Sequence, residues 1–189
     1  MAGNLFNSAK PGLFRCNVDT VNGSDCQHID ISAGQGSDSG WTPRIVVDKT
    51  NQNLLVVSLN IANSRKPGLF RCKLNTVDGS DCLHINVAGD LGVVGRNARI
   101  TIDEKNSKIF IVTEDEYNFF KLSLFRCNLN IVDGSDCKYK DISAGQGIES
   151  GNSPSMVIDT VNGKLLTVTR NTANSARPGL FRLPIGYED

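Results

Sequence analysis

Six cysteines are the residues in this sequence whose type and spacing most directly suggest chemistry. They form three pairs with one common spacing, and only two histidines accompany them. Zinc sites use ligands two to four residues apart and need a tetrahedral set, so this spacing does not fit zinc. Evenly spaced pairs fit local disulfides, which persist in oxidising compartments, and we expect an extracellular or secreted protein. The alternative is six reduced cysteines copied by repeat duplication. The expected pairs are Cys16 with Cys26, Cys72 with Cys82, and Cys127 with Cys137.

The other chemistry-bearing residues do not form a catalytic set. An active site needs unlike groups that converge, such as a nucleophile and its base. His28 and His84 each follow the second cysteine of a pair by two residues, so they are equivalent positions and not partners. No G-x-S-x-G, phosphate-loop or HExxH motif occurs, and the Asp-Gly-Ser-Asp stretches at 78–81 and 133–136 lack calcium-loop spacing and predict hairpin turns. We expect no enzyme, no cofactor and no metal site.

The overall composition excludes two classes of partner. Twenty basic and twenty acidic residues cancel, so the chain lacks the field that favours nucleic acid or anionic membranes. No apolar run approaches the roughly 18 residues of a membrane span. The first ten residues lack the apolar region of a signal peptide, which indicates a cytosolic protein or one whose leader was removed. The paired cysteines favour the second reading.

A tandem repeat of about 55 residues organises the chain. Pro-Gly-Leu-Phe-Arg-Cys at 11–16 recurs at 67–72, and related phrases occupy 122–127 and 178–183. Their phenylalanines are Phe14, Phe70, Phe125 and Phe181, which gives steps of 56, 55 and 56. We interpret 1–189 as a single repeat domain. Its repeats span 11–66, 67–121 and 122–177, with a partial copy at 178–189.

Each repeat predicts four strands, because its apolar residues alternate or form short β-branched runs with no sustained helical spacing. In the second unit these are strand A (44–48), strand B (53–60), strand C (67–74) and strand D (83–88). Asn-Gly or Asp-Gly between C and D is a strong hairpin signal. Each cysteine pair brackets this hairpin, where a disulfide is worth about 2–3 kcal/mol in the chain-entropy model. The fourth copy has Leu183 in place of the first cysteine.

The order of these elements resembles a β-propeller blade. The segment 154–166 (PSMVIDTVNGKLL), then a strand, then a strand ending in a D-G-S turn, is similar to blades of the YWTD-like and NHL-like families, although the Tyr-Trp-Thr-Asp signature is absent. The resemblance implies an all-β, propeller-like array of four-stranded antiparallel blades, about three and a half per chain, each with a C–D hairpin disulfide. It also implies that strand A lies nearest the axis.

The number of blades leaves the assembly open. Propellers usually contain four to eight blades, and an open array leaves sheet edges unpaired. Two chains could close a ring of six or seven blades, so we expect a homodimer or a higher closed oligomer. The alternatives are a fragment of a longer repeat protein and another antiparallel repeat fold, such as a stacked sandwich.

Polar loops are the candidate binding surface. In a four-stranded antiparallel unit the B–C and D–A loops lie on one face, and here they are rich in amides, hydroxyls and carboxylates that suit sugar hydroxyls. Repeated weak sites bind with avidity, so we expect a multivalent, lectin-like protein whose partner is a carbohydrate or glycoconjugate. The alternatives are a structural or adhesive scaffold without a small ligand, and loops that merely satisfy turn backbone. The predicted ligand residues are Gln35, Asp38, Trp41, Asn63, Ser64, Arg65, Gln146, Glu149, Asn174 and Ser175.

The middle repeat departs from this pattern on the same face. Its loops at 89–97 and 114–123 differ from those of the other copies, and the second contains Tyr117, Phe119 and Phe120. Aromatic residues clustered in a loop mark a contact surface. We interpret them as packing against a neighbouring blade or a partner subunit.

Overall fold

The computed structural model describes residues 3–4, 9–19, 23–92 and 95–186. In these ranges the chain forms antiparallel β-strands and turns, with one short 3-10 turn at Thr172–Asn174, and no helix is long and apolar enough to cross a membrane. The strands are β1 (Gly3–Asn4), β2 (Lys10–Arg15), β3 (Gln27–Asp30), β4 (Trp41–Asp48), β5 (Asn53–Asn60), β6 (Lys66–Lys73), β7 (Leu83–Asn86), β8 (Gly95–Asp103), β9 (Lys108–Asp115), β10 (Lys121–Asn128), β11 (Lys138–Asp141), β12 (Asn152–Asp159), β13 (Lys164–Asn171) and β14 (Arg177–Pro184).

These strands form four sheets, and each sheet crosses a boundary between sequence repeats, because strands A and B end one copy and strands C and D begin the next; from here on, a repeat is counted as one sheet. Their orders are β1-β2-β3, β4-β5-β6-β7, β8-β9-β10-β11 and β12-β13-β14, so the middle two contain the complete A-B-C-D set. Strand B has the predicted bounds. Strand A begins at Trp41, earlier than predicted, because a bulge between Trp41 and Arg44 lets pairing with β5 continue. Strand D ends at Asn86, two residues before its predicted end, where the D–A loop begins.

Periodic aspartates close the A–B turns. Asp48 Oδ1 accepts a bond from the Asn51 backbone amide at 3.0 Å, and its Oδ2 accepts from Asn51 Nδ2 at 2.8 Å. Asp103 with Asn106 and Asp159 with Asn162 repeat both bonds. These bonds lower the pKa of Asp159. An aspartate that satisfies turn amides explains why this residue recurs at the repeat period.

All three expected disulfides are present, and each bridges a C–D hairpin. The pairs Cys16–Cys26, Cys72–Cys82 and Cys127–Cys137 each have a sequence separation of 10. Three disulfides fit an extracellular or secreted protein. In the fourth repeat Leu183 occupies the position of the first cysteine and is buried in the core between the last two sheets.

Successive sheets pack face to face. In strand C, the adjacent leucine and phenylalanine point to opposite faces of the sheet, so each contacts a different neighbouring sheet. Phe70 packs back against the first sheet, whereas Leu69 packs forward against the third. The ends of the array expose the side chain that lacks a neighbour. Phe14 is 54% exposed where Phe70 and Phe125 are 0% exposed, and Leu180 is 52% exposed where Leu69 is 0% exposed.

Neighbouring sheets are joined mainly through their A strands. Strand β8 contacts both β4 and β12. The amide of Gly95 donates to the Arg65 carbonyl of the preceding repeat at 3.0 Å, and a Cβ at Gly95 would lie 2.6 Å from the Pro67 ring. Farther out, Arg15 donates to the carbonyl of Leu74 at 2.7 Å, which ties hairpin to hairpin. Within the described ranges no sheet closes into a barrel or ring.

Candidate functional site

The B–C and D–A loops interlock on one face of the array. The amide of Ile61, in the B–C loop of the second repeat, donates to the carbonyl of Asp38 in the preceding D–A loop at 2.8 Å. Thr172 and Glu149 make the equivalent bond at 3.1 Å. The loops therefore form a continuous surface, hereafter the loop face, on which the predicted ligand residues lie.

Amide side chains pair across this face at equivalent places. Asn60 Nδ2 donates to Gln35 Oε1 at 3.4 Å, and Asn171 Nδ2 donates to Gln146 Oε1 at 3.2 Å. The backbone amides of Asn63 and Asn174 bond to the side-chain oxygens of the same asparagines. These predicted ligand residues therefore hold the loops in shape, as the turn-backbone alternative expects.

Trp41 lies in β4 and not in the loop beside it. Its Nε1 donates to Asp38 Oδ1 at 3.1 Å, and its ring is 37% exposed. The pair joins the start of a strand to the preceding loop. Asp38 is in the left-handed region with φ 65°, as is Glu149 with φ 61°, so the two loops share a left-handed residue at the equivalent position.

The B–C loop of the second repeat and the divergent loop at 114–123 form an open depression of about 440 Å³, lined by Ser64, Arg65, Glu116, Tyr117 and Phe120. The Glu116 carboxylate lies between two guanidinium groups. Arg65 donates to its Oε2 and Arg96 donates to its Oε1, both at 2.9 Å. These ion pairs fix the carboxylate at the edge of the depression.

A second depression of about 410 Å³ adjoins the first, because Phe120 lines both. Glu114 is buried here, where it accepts a bond from Asn97 Nδ2 at 2.8 Å and another from the backbone of Ser153. We call the two depressions together the charged groove. Its second part is lined by Arg96, Asn97, Glu114, Phe120, Glu149, Asn152, Ser153, Arg170 and Thr172.

The three aromatic residues of this loop have different surroundings. Phe120 is partly buried, with the Arg96 guanidinium 5.8 Å from its ring centroid, a cation–π distance. Tyr117 and Phe119 are 73% and 64% exposed. Packing within the chain therefore accounts for Phe120, and the other two rings present apolar surface on the loop face.

The structure groups only some of the ten predicted ligand residues. Ser64 and Arg65 line the first depression of the charged groove, and Glu149 lines the second. Gln146 and Asn174 line a separate cavity of about 490 Å³ beside β14. Ser175, with φ 55°, caps the 3-10 turn. Sequence reasoning missed Arg96, Glu114 and Glu116, although divergence from the repeat at 89–97 and 114–123 was a usable signal.

His84 is a partly buried ring on strand D. Its Nε2 lies 3.3 Å from Asn60 Nδ2, and its ring centroid lies 5.0 Å from that of Phe70. An amide donor in that position requires a neutral imidazole with an accepting nitrogen. Burial lowers the pKa of His84 below its ordinary value of 6.5, which likewise favours the neutral form.

We expect the protein to lose stability as the pH falls from 7.5 to 5.0. The pKa of His84 is lower in the folded chain than in the unfolded chain, so the unfolded chain binds more protons below pH 6.5. Proton binding therefore favours the unfolded chain and lowers the free energy of unfolding as the pH falls. Urea unfolding at a series of pH values measures this loss. The His84→Gln variant should show a shallower decline, and equal slopes for the two proteins would contradict the assignment.

The loop face combines fixed carboxylates, guanidinium donors and exposed rings, which are the groups that bind polar ligands with apolar faces. Within the described parts of the chain, no three histidine, cysteine, aspartate or glutamate side chains gather as metal ligands. Comparison of the chain with protein-family models, with curated proteins and with solved structures gave no match.

Proposed function

We propose that this protein is a secreted, multivalent binding protein whose loop face binds carbohydrate, with the charged groove as its main site. The observation that carries the proposal is the position of Tyr117, which is 73% exposed beside Ser64 and the Arg65–Glu116 ion pair. A ring face next to fixed donors and acceptors matches a sugar, which has an apolar C–H face and a rim of hydroxyl groups.

Hydrogen-bonding capacity at the groove supports a hydroxyl-rich ligand. An ionised carboxylate accepts at about four lone-pair positions, and each Glu116 oxygen accepts one guanidinium bond. Positions therefore remain for two neighbouring hydroxyl groups. Because the flanking arginines already hold the carboxylate, binding loses little additional side-chain freedom.

A propeller-like assembly would present several such faces together. Contacts of β8 with β4 and β12 support placing the A strands nearest an axis. Apolar side chains are exposed at both ends of the array: Phe14 on the first sheet, with Ile45 and Val47 on the side of β4 where the described first sheet lacks a strand A, and Val157, Val168 and Leu180 on the outer face of the fourth sheet. The equivalent positions inside the array are buried or half-buried between neighbouring sheets, so both exposed surfaces are suited to contact with another sheet. We propose that copies of the chain join head to tail into a homodimer or a higher closed oligomer.

Substitution of Tyr117 by alanine is expected to weaken carbohydrate binding at least about fivefold, since stacking of this ring is worth on the order of 1 kcal/mol or more. A glycan array with the non-reduced protein identifies the sugar, and titration calorimetry then compares the variants. Light scattering gives the mass of the assembly.

Val161→Ala is the matched control, because Val161 is 91% exposed in an A–B turn, on the face opposite the loop face. It should bind as the unaltered protein does. A sugar that binds the Tyr117→Ala variant with unchanged affinity would refute the groove as the site. A blank array from a protein with the mass of a closed oligomer would instead favour a structural or adhesive scaffold.

A further inference from the structure

In the second and third repeats, strand D places a planar ring in a seat made by strands B and C. In the second repeat the ring is His84, which lies against Asn60, Gly68 and Phe70. A Cβ at Gly68 would lie 3.1 Å from His84 Nε2, so the glycine makes room for the ring. In the first repeat His28 likewise lies against Gly12 and Phe14, and a Cβ at Gly12 would lie 2.5 Å from His28 Nε2.

The third repeat holds a different ring with a different pair of neighbours. Tyr139 takes the histidine position, and its hydroxyl donates to Asp115 Oδ2 at 2.8 Å and lies 3.2 Å from Ser123 Oγ. Asp115 and Ser123 replace the asparagine and glycine of the second repeat. Burial, with the nearby Asp115 carboxylate, raises the pKa of Tyr139 to about 12. A histidine ring on strand D is thus contacted by asparagine of strand B and glycine of strand C. A tyrosine ring at that position is contacted by aspartate and serine instead.

The fourth repeat has the same seat, and a cavity lies where the ring would be. In the described ranges β14 is an edge strand, with β13 on its inner side. The cavity of about 490 Å³ at its outer edge is lined by Asn171, Gly179 and Phe181, together with Gln146 and Asp141 of the third repeat. The Asn171 side chain donates a hydrogen bond to Gln146, as the Asn60 side chain does to Gln35. The atoms nearest a Cβ at Gly179 belong to Phe181, Thr169 and Asn171.

We propose that β14 binds an extended segment of a partner polypeptide, which adds to the sheet as a fourth strand and places a histidine ring in this cavity. Addition of a strand to an open sheet edge is an established mode of peptide recognition, in which backbone bonds supply affinity and pockets for alternate side chains supply specificity. The proposal concerns a surface separate from the charged groove and does not depend on carbohydrate binding.

Charge specifies another position of the partner segment. Strand D ends with an acidic residue in the first and third repeats, where Asp30 lies 3.8 Å from Lys10 and Asp141 lies 3.9 Å from Lys121. The corresponding cation beside the cavity is the exposed Arg177. The bound segment therefore has histidine at its second position and aspartate at its fourth, as in Gln-His-Ile-Asp-Ile-Ser at 27–32.

Synthetic peptides with this pattern test the proposal on the intact, non-reduced protein. We expect QHIDIS to shift the NMR signals of Gly179, Phe181 and the Asn171 side-chain amide. QAIDIS and QYIDIS should bind about tenfold more weakly, because alanine offers the Asn171 amide no ring acceptor, and the tyrosine hydroxyl meets no carboxylate such as the Asp115 oxygen that accepts from Tyr139. Methylation of the backbone nitrogen of the fifth residue should abolish binding, because Ile31 uses this amide to bond the Pro11 carbonyl, the equivalent of Pro178.

A double variant provides the specificity control. Asn171→Asp with Gly179→Ser copies the seat of the third repeat, and we expect it to prefer QYIDIS over QHIDIS. Asp115 already shows that aspartate keeps the turn bond made by Asn171, so the variant should fold. Three results would each overturn the proposal. QHIDIS and QAIDIS could bind equally well, the NMR shifts could be confined to the charged groove, or the β14 backbone amides could be protected from hydrogen exchange only when the protein self-associates.

Discussion

Replacing Phe125 by alanine should lower the free energy of unfolding by about 3–5 kcal/mol, the usual cost of removing a buried phenylalanine. Phe125 is 0% exposed and lies in the core between the second and third sheets, with Ile85 of one sheet and Ile111 of the other. Its ring centroid also lies 5.5 Å from that of Tyr139. Because both sheets contribute to this contact, the cavity cannot close by movement of one strand. Urea unfolding monitored by circular dichroism measures the loss.

The repeat supplies a matched control for this prediction. Phe14 occupies the same position and is 54% exposed, because no sheet covers that face among the described residues. We expect Phe14→Ala to cost less than about 1 kcal/mol, as at other exposed positions. Similar losses for the two variants in the monomeric state would show that the end face is covered, and the described packing would then be incomplete.

Removal of the Cys72–Cys82 disulfide, by changing both cysteines to alanine, is expected to cost about 3–4 kcal/mol. Loss of the short closed loop accounts for about 2–3 kcal/mol in the chain-entropy model. The remainder comes from the space left in the core, since both cysteines are buried between the first two sheets. Unfolding in urea without reducing agent measures the difference.

The Cys16–Cys26 disulfide separates these two contributions. It closes a loop of the same length, with a sequence separation of 10, but its cysteines are exposed. Its removal should cost only the loop-closure part, and a mild reductant should open it first. If the two double variants lose equal stability, burial of the sulfur atoms contributes nothing measurable.

Strand order, turns and disulfides were readable from the sequence because each depends on residues close together in the chain. The C–D hairpin shows this. Asp78-Gly79 sets the turn, and Cys72 and Cys82 flank it, so formation of the hairpin is enough to bring the two cysteines together. The A–B turn is similarly local, with Asp48 bonding to Asn51 three residues away. Repetition strengthened the inference, since one pattern was seen several times.

The two proposed binding surfaces followed from tertiary structure, because their groups come from different repeats. Arg65 and Glu116 are 51 positions apart in sequence, and their ion pair exists only because neighbouring sheets bring two loops together. The seat beside β14 likewise joins Gly179 to Gln146 of the preceding repeat. Sequence alone predicted an array of antiparallel β-repeats, with a disulfide inside each complete C–D hairpin. Packing between sheets decided which loop residues face one another, since side-chain direction and sheet-to-sheet spacing are set by contacts that no single repeat contains.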